Sequence, residues 1–562
     1  MAEDLRRALF IFALQNAVRH KSLPKAGAVI GMVMGNHPEF RSRAKEAAAI
    51  MDEVLARVAD LTSAEREEQL AVLAPDLVEE LGKPRVHVKA LPPLERSENG
   101  VVMRFAPNPS GPLHLGHARA AVLNDAYVQR YGGKYILRIE DTDPKRVDPE
   151  AYRMVVEDID WLGLAIHEVV YQSDRFDLYY KYAKDLIERG GAYICTCENE
   201  QFRELKQQKT ACPCRPLSLE ENLALWEKML AGEFYEGEAS VRVRTDLDHP
   251  DPAMRDFPAF RILHQPLHPR IEATVYPLMN FSVAVDDHLL GVTHVIRGKD
   301  HIANTRRQRY IYDYFGWEVP VYRHYGRMGI EGVVLSTSRM RQGIGSGEFL
   351  GWDDVRLGTL RALARRGITP MAVRQAVLDI GIGETDISFS WDNLYAANRD
   401  IVDPVANRYF FVPEPVAVLV NGAPHQTAHA LLHPNEPARG TRELPFTGSV
   451  FLPREDLRKD PPLVRLKDLF NCTVTSDHGT YLLSYAGDDL ADARNVKAPI
   501  IQWLPVDCAV PCLLRKPERD VAGVCEPGVV RELGSVVQFE RAGFARIDDT
   551  AGDRILAYFT HR

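Results

Sequence analysis

Arg104-Phe-Ala-Pro-Asn-Pro-Ser-Gly-Pro-Leu-His-Leu-Gly-His117 is the stretch on which the fold of this chain turns. Before it lies Val101-Val-Met-Arg-Phe105, a short apolar run that reads as a buried strand. After it, Leu115 to Tyr131 keeps apolar residues at helical spacing until Gly132-Gly133 stops it. Tyr135-Ile-Leu-Arg-Ile139 is the next strand. A strand, a helix and a strand in this order imply a parallel pair with a right-handed crossover, the start of a doubly wound sheet. The loop then sits at the carboxyl end of a strand and the N-terminus of a helix, where backbone amides and the helix dipole favour anions. Gly116 lets a flat ring approach the backbone. His114 and His117, three residues apart on one helical face, suit charge building on a phosphate during transfer. The pair alone would fit an ordinary turn with surface histidines; the whole loop does not.

Working outward, residues 1 to about 90 read as helical, with apolar positions recurring through Leu5, Leu9 and Phe12 and through Ile50, Val54 and Val58. Lys83-Pro-Arg to Leu91-Pro-Pro93 reads as a linker. Helical stretches at 149–163 and 173–189 follow the second strand. Residues 195–290 break the α/β rhythm and read as an insertion. Val283-Ala-Val285 and Val292-Thr-His-Val-Ile296 then read as strands, and 303–315 as a helix, resuming the sheet. A helical segment carries Arg361, Arg365, Arg366 and Arg374, facing either phosphates or solvent. From about Asp403 short apolar segments broken by Pro, Gly and Asn predict β-barrels.

With 562 residues the chain is too long for one core, and roughly three to five domains are expected. The formal net charge of -9 argues against a purely electrostatic nucleic-acid binder, while leaving room for a local basic surface. No apolar run approaches the roughly 18 residues of a membrane span, and the acidic start Met1-Ala-Glu-Asp4 is unlike a secretory leader, so a cytoplasmic, membrane-free protein is expected. Cys195, Cys197, Cys212 and Cys214 supply four thiolates, the number a closed tetrahedral zinc site uses. Their C-x-C spacing is tighter than the usual C-x2-C, and ordinary cytosolic thiols are the alternative.

The opening stretch, with Leu137-Arg-Ile-Glu-Asp-Thr-Asp-Pro144, Gly291-Val-Thr-His-Val-Ile-Arg-Gly298 and Leu335-Ser-Thr-Ser-Arg339, resembles the signatures of class I aminoacyl-tRNA synthetases of the glutamyl/glutaminyl subgroup. The resemblance covers roughly 100–410 and reaches the tail through Asn398-Arg-Asp-Ile-Val-Asp-Pro404; residues 1–90 resemble the extra helical region of the archaeal and eukaryotic branch. It implies an α/β multidomain protein: an N-terminal helical region at 1–95, a Rossmann-type catalytic domain at 96–194 and 291–345, and an inserted acceptor-stem-binding domain at 195–290 holding the zinc. A helical stem-contact region at 346–402 and β-barrel anticodon-binding domains at 403–562 complete it.

The resemblance also implies roles. Pro107, Asn108, Gly111, His114, Gly116 and His117 would hold ATP, with Leu335 and Ser336 from the second signature. His114 and His117 would stabilise the transition state of adenylate formation. Arg104 would bind a substrate carboxylate, Glu140 the α-ammonium, and Arg297 the side-chain carboxylate of L-glutamate, for which a guanidinium fork is suited and an amide is not. Magnesium is expected with ATP. Two departures stand out. The second signature lacks both lysines usual in the class, so Arg339 or Arg341 is expected to supply the cation to the leaving pyrophosphate. Met279 replaces a tyrosine that bacterial relatives place against the substrate side chain.

The implied activity is ATP-dependent glutamylation of tRNA(Glu), with tRNA(Gln) as a second partner if the protein does not discriminate, by a monomer. A glutaminyl enzyme is disfavoured by Arg297 and by Ile139-Glu-Asp-Thr-Asp143. A non-catalytic tRNA-binding paralogue is disfavoured by the intact histidines, and a truncated transferase that modifies a tRNA base by the full tail.

Overall fold

The computed structural model describes residues 2–20, 23–75, 77, 91–459, 461–477 and 480–562. The chain forms two compact units, Met1–His87 and Val88–Arg562. Most of the predicted linker, residues 83–90, lies outside the described residues. Among the described residues no helix is long and apolar enough to cross a membrane.

The first unit holds α1 (Ala2–His20), α2 (Ala26–Asn36), α3 (Ala44–Ala59) and α4 (Ser63–Leu73). The helical periodicity becomes its core: Leu5, Leu9, Phe12, Val54 and Val58 are buried together with Val29, Val33 and Leu70. Thr62 and Glu65 close a reciprocal capping box that fixes the start of α4.

In the second unit, β1 (Val101–Phe105), β2 (Gly133–Ile139) and β3 (Glu168–Tyr171) form a parallel sheet in that order, with α5 (Leu115–Tyr131) returning the chain from β1 to β2. α6 (Ala151–Trp161) leads to β3, and α7 (Phe176–Glu188) follows it. Next come β4 (Ala192–Cys195), α8 (Asn199–Gln207), α9 (Leu219–Leu230), β5 (Ser240–Val243), β6 (Pro258–Ile262) and β7 (Val275–Pro277). β4 to β7 make a separate antiparallel sheet in chain order. Its core of Trp226, Phe260, Phe281 and Tyr179 is shared with α7 and with α10 (Met279–Leu289).

The chain then returns to the first sheet. β8 (His294–Gly298) and β9 (Val321–Tyr325) pair in parallel, joined by α11 (Ile302–Phe315). Thr293 links β8 to β1: its N–H donates to the Val102 carbonyl at 2.9 Å, and its Oγ1 accepts from the Val102 N–H at 2.9 Å. β2 and β3 lie on one side of β1 and β8 and β9 on the other. The carboxyl ends of β1 and β8 are thus the point where the strand order reverses, the place where open α/β sheets bind ligands.

Two readings of the sequence are corrected here. Val283-Ala284-Val285 is helical, part of α10, because that helix is buried on nearly every side and so shows no apolar period. The following strand begins at His294 rather than Val292, once Gly291 has turned the chain out of α10 with φ +66°.

After α12 (Thr337–Gly345), the arginine-rich segment is two helices, α13 (Leu360–Arg365) and α14 (Pro370–Ile380), packed with α15 (Trp391–Val402) against α5. Its arginines are held by partners within the protein: Arg366 is buried, while Arg361, Arg365 and Arg374 stay partly exposed. Arg361 pairs with Glu157 and Asp158, Arg365 with Asp353 and Asp548, and Arg374 with Asp125, while Arg366 donates to the Thr560 carbonyl. The tail forms two seven-stranded sheets. The chain enters the first at Arg408–Pro413, builds the second from Pro415 to Pro505, and returns to complete the first with strands from Val510 to His561.

Asp125 is almost wholly buried, with its Oδ2 2.7 Å from Arg374. Arg374→Ala should therefore lower stability by roughly 3 kcal/mol, because it strands a buried carboxylate, and should leave nucleic-acid affinity unchanged. Urea unfolding and a binding titration check this; weakened binding at unchanged stability would assign Arg374 to phosphate contact instead.

Candidate active site

The loop after β1 is held from both sides. The Asn108 amide donates to the Glu140 carbonyl at 2.8 Å, and the Glu140 N–H donates to the Pro107 carbonyl at 2.9 Å. The Leu113 N–H donates to buried Asp158 at 2.7 Å. His114 then caps α5 with its imidazole: Nδ1 accepts from the Gly116 N–H at 3.0 Å. The His117 ring reaches back, and its Nδ1 accepts from the His114 N–H at 3.3 Å. The rings stack with centroids 3.7 Å apart. Gly116 does admit a flat ring, but it is that of His114, whose Cε1 would lie 2.8 Å from a Cβ at position 116.

These contacts fix the protonation of both rings. A nitrogen that accepts from a backbone N–H carries no proton, so each neutral imidazole carries its hydrogen on Nε2. Burial pushes the His114 pKa down to about 4, and burial with the neighbouring His114 holds His117 well below the usual range. Near neutral pH both are uncharged donors rather than cations.

Behind the loop, Asp287 on α10 receives two guanidiniums: Arg104 of β1 at 3.2 Å and Arg138 of β2 at 2.7 Å. Arg138 also donates to Glu140 at 2.9 Å. The adjacent Asp286 receives Arg175, Gln172 and Tyr179. Burial alone would raise the Asp287 carboxyl, but the charges of Arg104 and Arg138 hold it below its usual value. Three carboxylates thus match three guanidiniums in a buried set.

Arg297, at the end of β8, has no such match. It is buried, lies over the Tyr322 ring at 5.0 Å, and donates to the neutral oxygens of Thr305 at 2.7 Å and Gln308 at 2.9 Å. No carboxylate among the described residues pairs with it, and its Nε is buried without a partner. Burial, with Arg104 nearby, lowers its pKa to about 10, so it stays charged at neutral pH. Arg104, Glu140, Asn108, His117, Met279 and Arg297 line one cavity of ≈ 230 Å³. The structure therefore brings together the substrate residues expected from sequence, with Met279 in the wall.

The second signature approaches from above the loop. Ser336 caps α12, its Oγ accepting from the Arg339 N–H at 3.4 Å. A Cβ at Gly111 would meet the Thr337 methyl at 2.8 Å, so the first signature must carry glycine where the second begins. Arg341 donates to the Ser110 carbonyl at 2.6 Å and to Asp148 at 2.9 Å, whereas Arg339 reaches exposed Glu348 at 2.8 Å. Sequence reasoning missed the strap Leu357-Gly-Thr-Leu360 between the signatures. The Gly358 N–H donates to the Val334 carbonyl, and the Gly358 carbonyl accepts from the Leu115 N–H, each at 3.0 Å. A Cβ at Gly358 would strike Leu335 at 2.5 Å; that glycine was the only available signal.

Away from this site, the Sγ atoms of Cys195, Cys197, Cys212 and Cys214 lie within 4.8 Å of one another. Tetrahedral zinc thiolates with Zn–S of about 2.3 Å place sulfurs about 3.8 Å apart. Separations of 4.0 Å for Cys195–Cys212 and 3.6 Å for Cys197–Cys214 fit that geometry.

Comparison with known proteins adds a family. The model of the catalytic domain of class I tRNA synthetases (E and Q) matches residues 100–404, and two models of their anticodon-binding domains match 406–482 and 500–548. Over 562 residues, covering the whole of both chains, the protein is 64% identical to a glutamate–tRNA ligase of Methanoculleus marisnigri. It is 62% identical to one of Methanospirillum hungatei over 561 residues and 47% identical to one of Pyrococcus abyssi over 572, again covering both chains fully.

Histidine-selective nitrogen NMR should find His114 still neutral at about pH 5.5, with its proton on Nε2, and titrating near 4. Because its folded pKa lies below the unfolded value, its contribution to stability is full above about pH 6.5 and declines as pH falls toward 4. A midpoint near 6.5 would contradict the capping role.

Proposed function

The chain belongs to the class I tRNA synthetases of the glutamate and glutamine family, and on that footing we propose that it is a glutamate–tRNA ligase, joining L-glutamate to tRNA with the energy of ATP. The observation that carries the choice of glutamate is Arg297, a buried cation with no carboxylate partner among the described residues, in the cavity where the strand order reverses. A side-chain carboxylate supplies the missing charge; an amide does not.

The α-carboxylate of glutamate is already ionised, so its attack on the α-phosphorus of ATP requires no general base. The protein's part is orientation and charge stabilisation. The Nε2–H groups of His114 and His117 donate to phosphate oxygens at the N-terminus of α5, with Pro107, Asn108, Gly111 and Gly116 shaping the loop. Leu335 and Ser336 close the nucleotide site from the second signature. Arg104, held by Asp287 along one edge, offers its remaining edge to a substrate carboxylate, and Glu140 offers its second oxygen to the α-ammonium. Arg339 takes the role of the missing lysines, since its partner Glu348 is exposed and cheaply exchanged for pyrophosphate; Arg341 instead braces the loop through Ser110. Magnesium accompanies ATP. The attack gives glutamyl-adenylate and expels pyrophosphate; the 2′-hydroxyl of the terminal adenosine then takes the glutamyl group with AMP as the leaving group, and the tail sheets read the anticodon of tRNA(Glu), with tRNA(Gln) as the second candidate. Cys195, Cys197, Cys212 and Cys214 hold a structural zinc that fastens β4 to the loop before α9.

Aminoacylation of purified tRNA(Glu) and tRNA(Gln), each offered glutamate and glutamine, tests this reading. Glutamate is the expected substrate, and faster esterification of glutamine overturns the assignment. Arg297→Ala should raise the KM for glutamate on the order of 100-fold with little change in the KM for ATP. Metal analysis should find about one zinc per chain, and chelation should lower the unfolding temperature; a metal-free protein of unchanged stability excludes the zinc.

A further inference from the structure

Resting on the glutamate reading above, we propose that Gln308, with Thr305, is a specificity-positioning pair that aims Arg297 while leaving its charge free for the substrate. Both residues lie on α11, three positions apart and so on one face of the helix. Their oxygens take both hydrogens of one Arg297 nitrogen, at 2.7 Å for Thr305 Oγ1 and 2.9 Å for Gln308 Oε1. The guanidinium is fixed in direction by two acceptors, and neither carries a charge.

The contrast with Arg104 and Arg138 makes the choice of residue meaningful. Those two guanidiniums, in the same buried region, are each answered by Asp287. A carboxylate at position 308 would answer Arg297 the same way and cancel the charge of the cavity. Glutamine is the isostere that keeps the direction and omits the charge. It does so at a cost: Gln308 is fully buried and its Nε2 has no hydrogen-bond partner among the described residues, an unpaired donor of the kind that stable cores avoid.

The orientation is relayed further. Thr305 Oγ1 lies 2.9 Å from His324 Nε2 and 3.2 Å from the His301 carbonyl, so its own proton has an acceptor while its lone pair faces Arg297. His301 itself lines the cavity. The aim of Arg297 is thus determined by α11 and by β9, which carries both His324 and the Tyr322 ring under the guanidinium.

The test compares Gln308→Glu with Gln308→Met in the full-length protein, measuring aminoacylation in the presence of tRNA with glutamate or glutamine. Gln308→Glu, nearly isosteric, should raise the KM for glutamate on the order of 100-fold and erase most of the preference over glutamine, with the KM for ATP unchanged. Gln308→Met should raise the KM for glutamate only about tenfold and keep the preference, because the charge survives while its aim is lost. A Gln308→Glu enzyme with wild-type KM for glutamate overturns the proposal. So does one that loses ATP affinity or unfolds at lower temperature to the same degree as it loses glutamate, since that would assign Gln308 to the fold. If the wild-type protein itself fails to use glutamate, the functional reading falls first; if it uses glutamate and Gln308→Glu does too, only this inference falls.

Discussion

Asp287 shared between Arg104 and Arg138 is the contact from which the rest of the site follows. It ties the carboxyl ends of two adjacent strands, β1 and β2, to α10, which reaches the chain only after the antiparallel sheet of β4 to β7. A segment some 150 residues downstream of Arg138 is thereby locked under the first signature. Buried ion pairs of this kind contribute little net stability, because desolvation consumes most of the attraction. What they fix is position. With Glu140 and Asp286 satisfying the remaining charge, Arg104, Arg138 and Arg175 are matched by carboxylates, whereas Arg297 has none among the described residues, and the glutamate proposal rests on that unmatched charge.

Sterics set the second constraint. The nucleotide loop, the second signature and the strap at 357–360 meet so closely that Gly111, Gly116 and Gly358 admit no side chain without displacing Thr337, His114 or Leu335. The stacked histidines follow from the same crowding. Pressed together and desolvated, they cannot both be cations, and capping contacts to backbone amides leave their Nε2 hydrogens directed outward. The site presents oriented neutral donors at a helix N-terminus, and the proposed reaction, whose charge builds on phosphate oxygens, is suited to them.

Much of this was legible in the sequence, for identifiable reasons. The strand, loop and helix around His114 obey local rules of periodicity and termination, and Arg104, Glu140 and Arg297 lie at the ends of strands whose apolar runs are plain. α10 was not legible, because a helix buried on nearly all sides has no apolar period, and Val283-Ala-Val285 then looks like a strand. Asp286-Asp287 was the missed signal: two acids directly after an apolar run imply buried partners. The ion pairs of the arginines from 361 to 374 were not legible either, since their partners Glu157, Asp125 and Asp548 are far away in sequence. Nothing local foretold that Gln308 would contact Arg297, because that contact joins two elements through an interior neither reveals alone.

The central claim is that an uncompensated Arg297 selects glutamate by its side-chain carboxylate, and a crystal structure with a non-hydrolysable glutamyl-adenylate analogue tests it most directly. The account predicts the side-chain carboxylate within hydrogen-bond distance of Arg297 and the phosphate mimic against the Nε2 edges of His114 and His117. A side chain turned toward solvent or paired with another cation, leaving Arg297 on Thr305 and Gln308 alone, would contradict it.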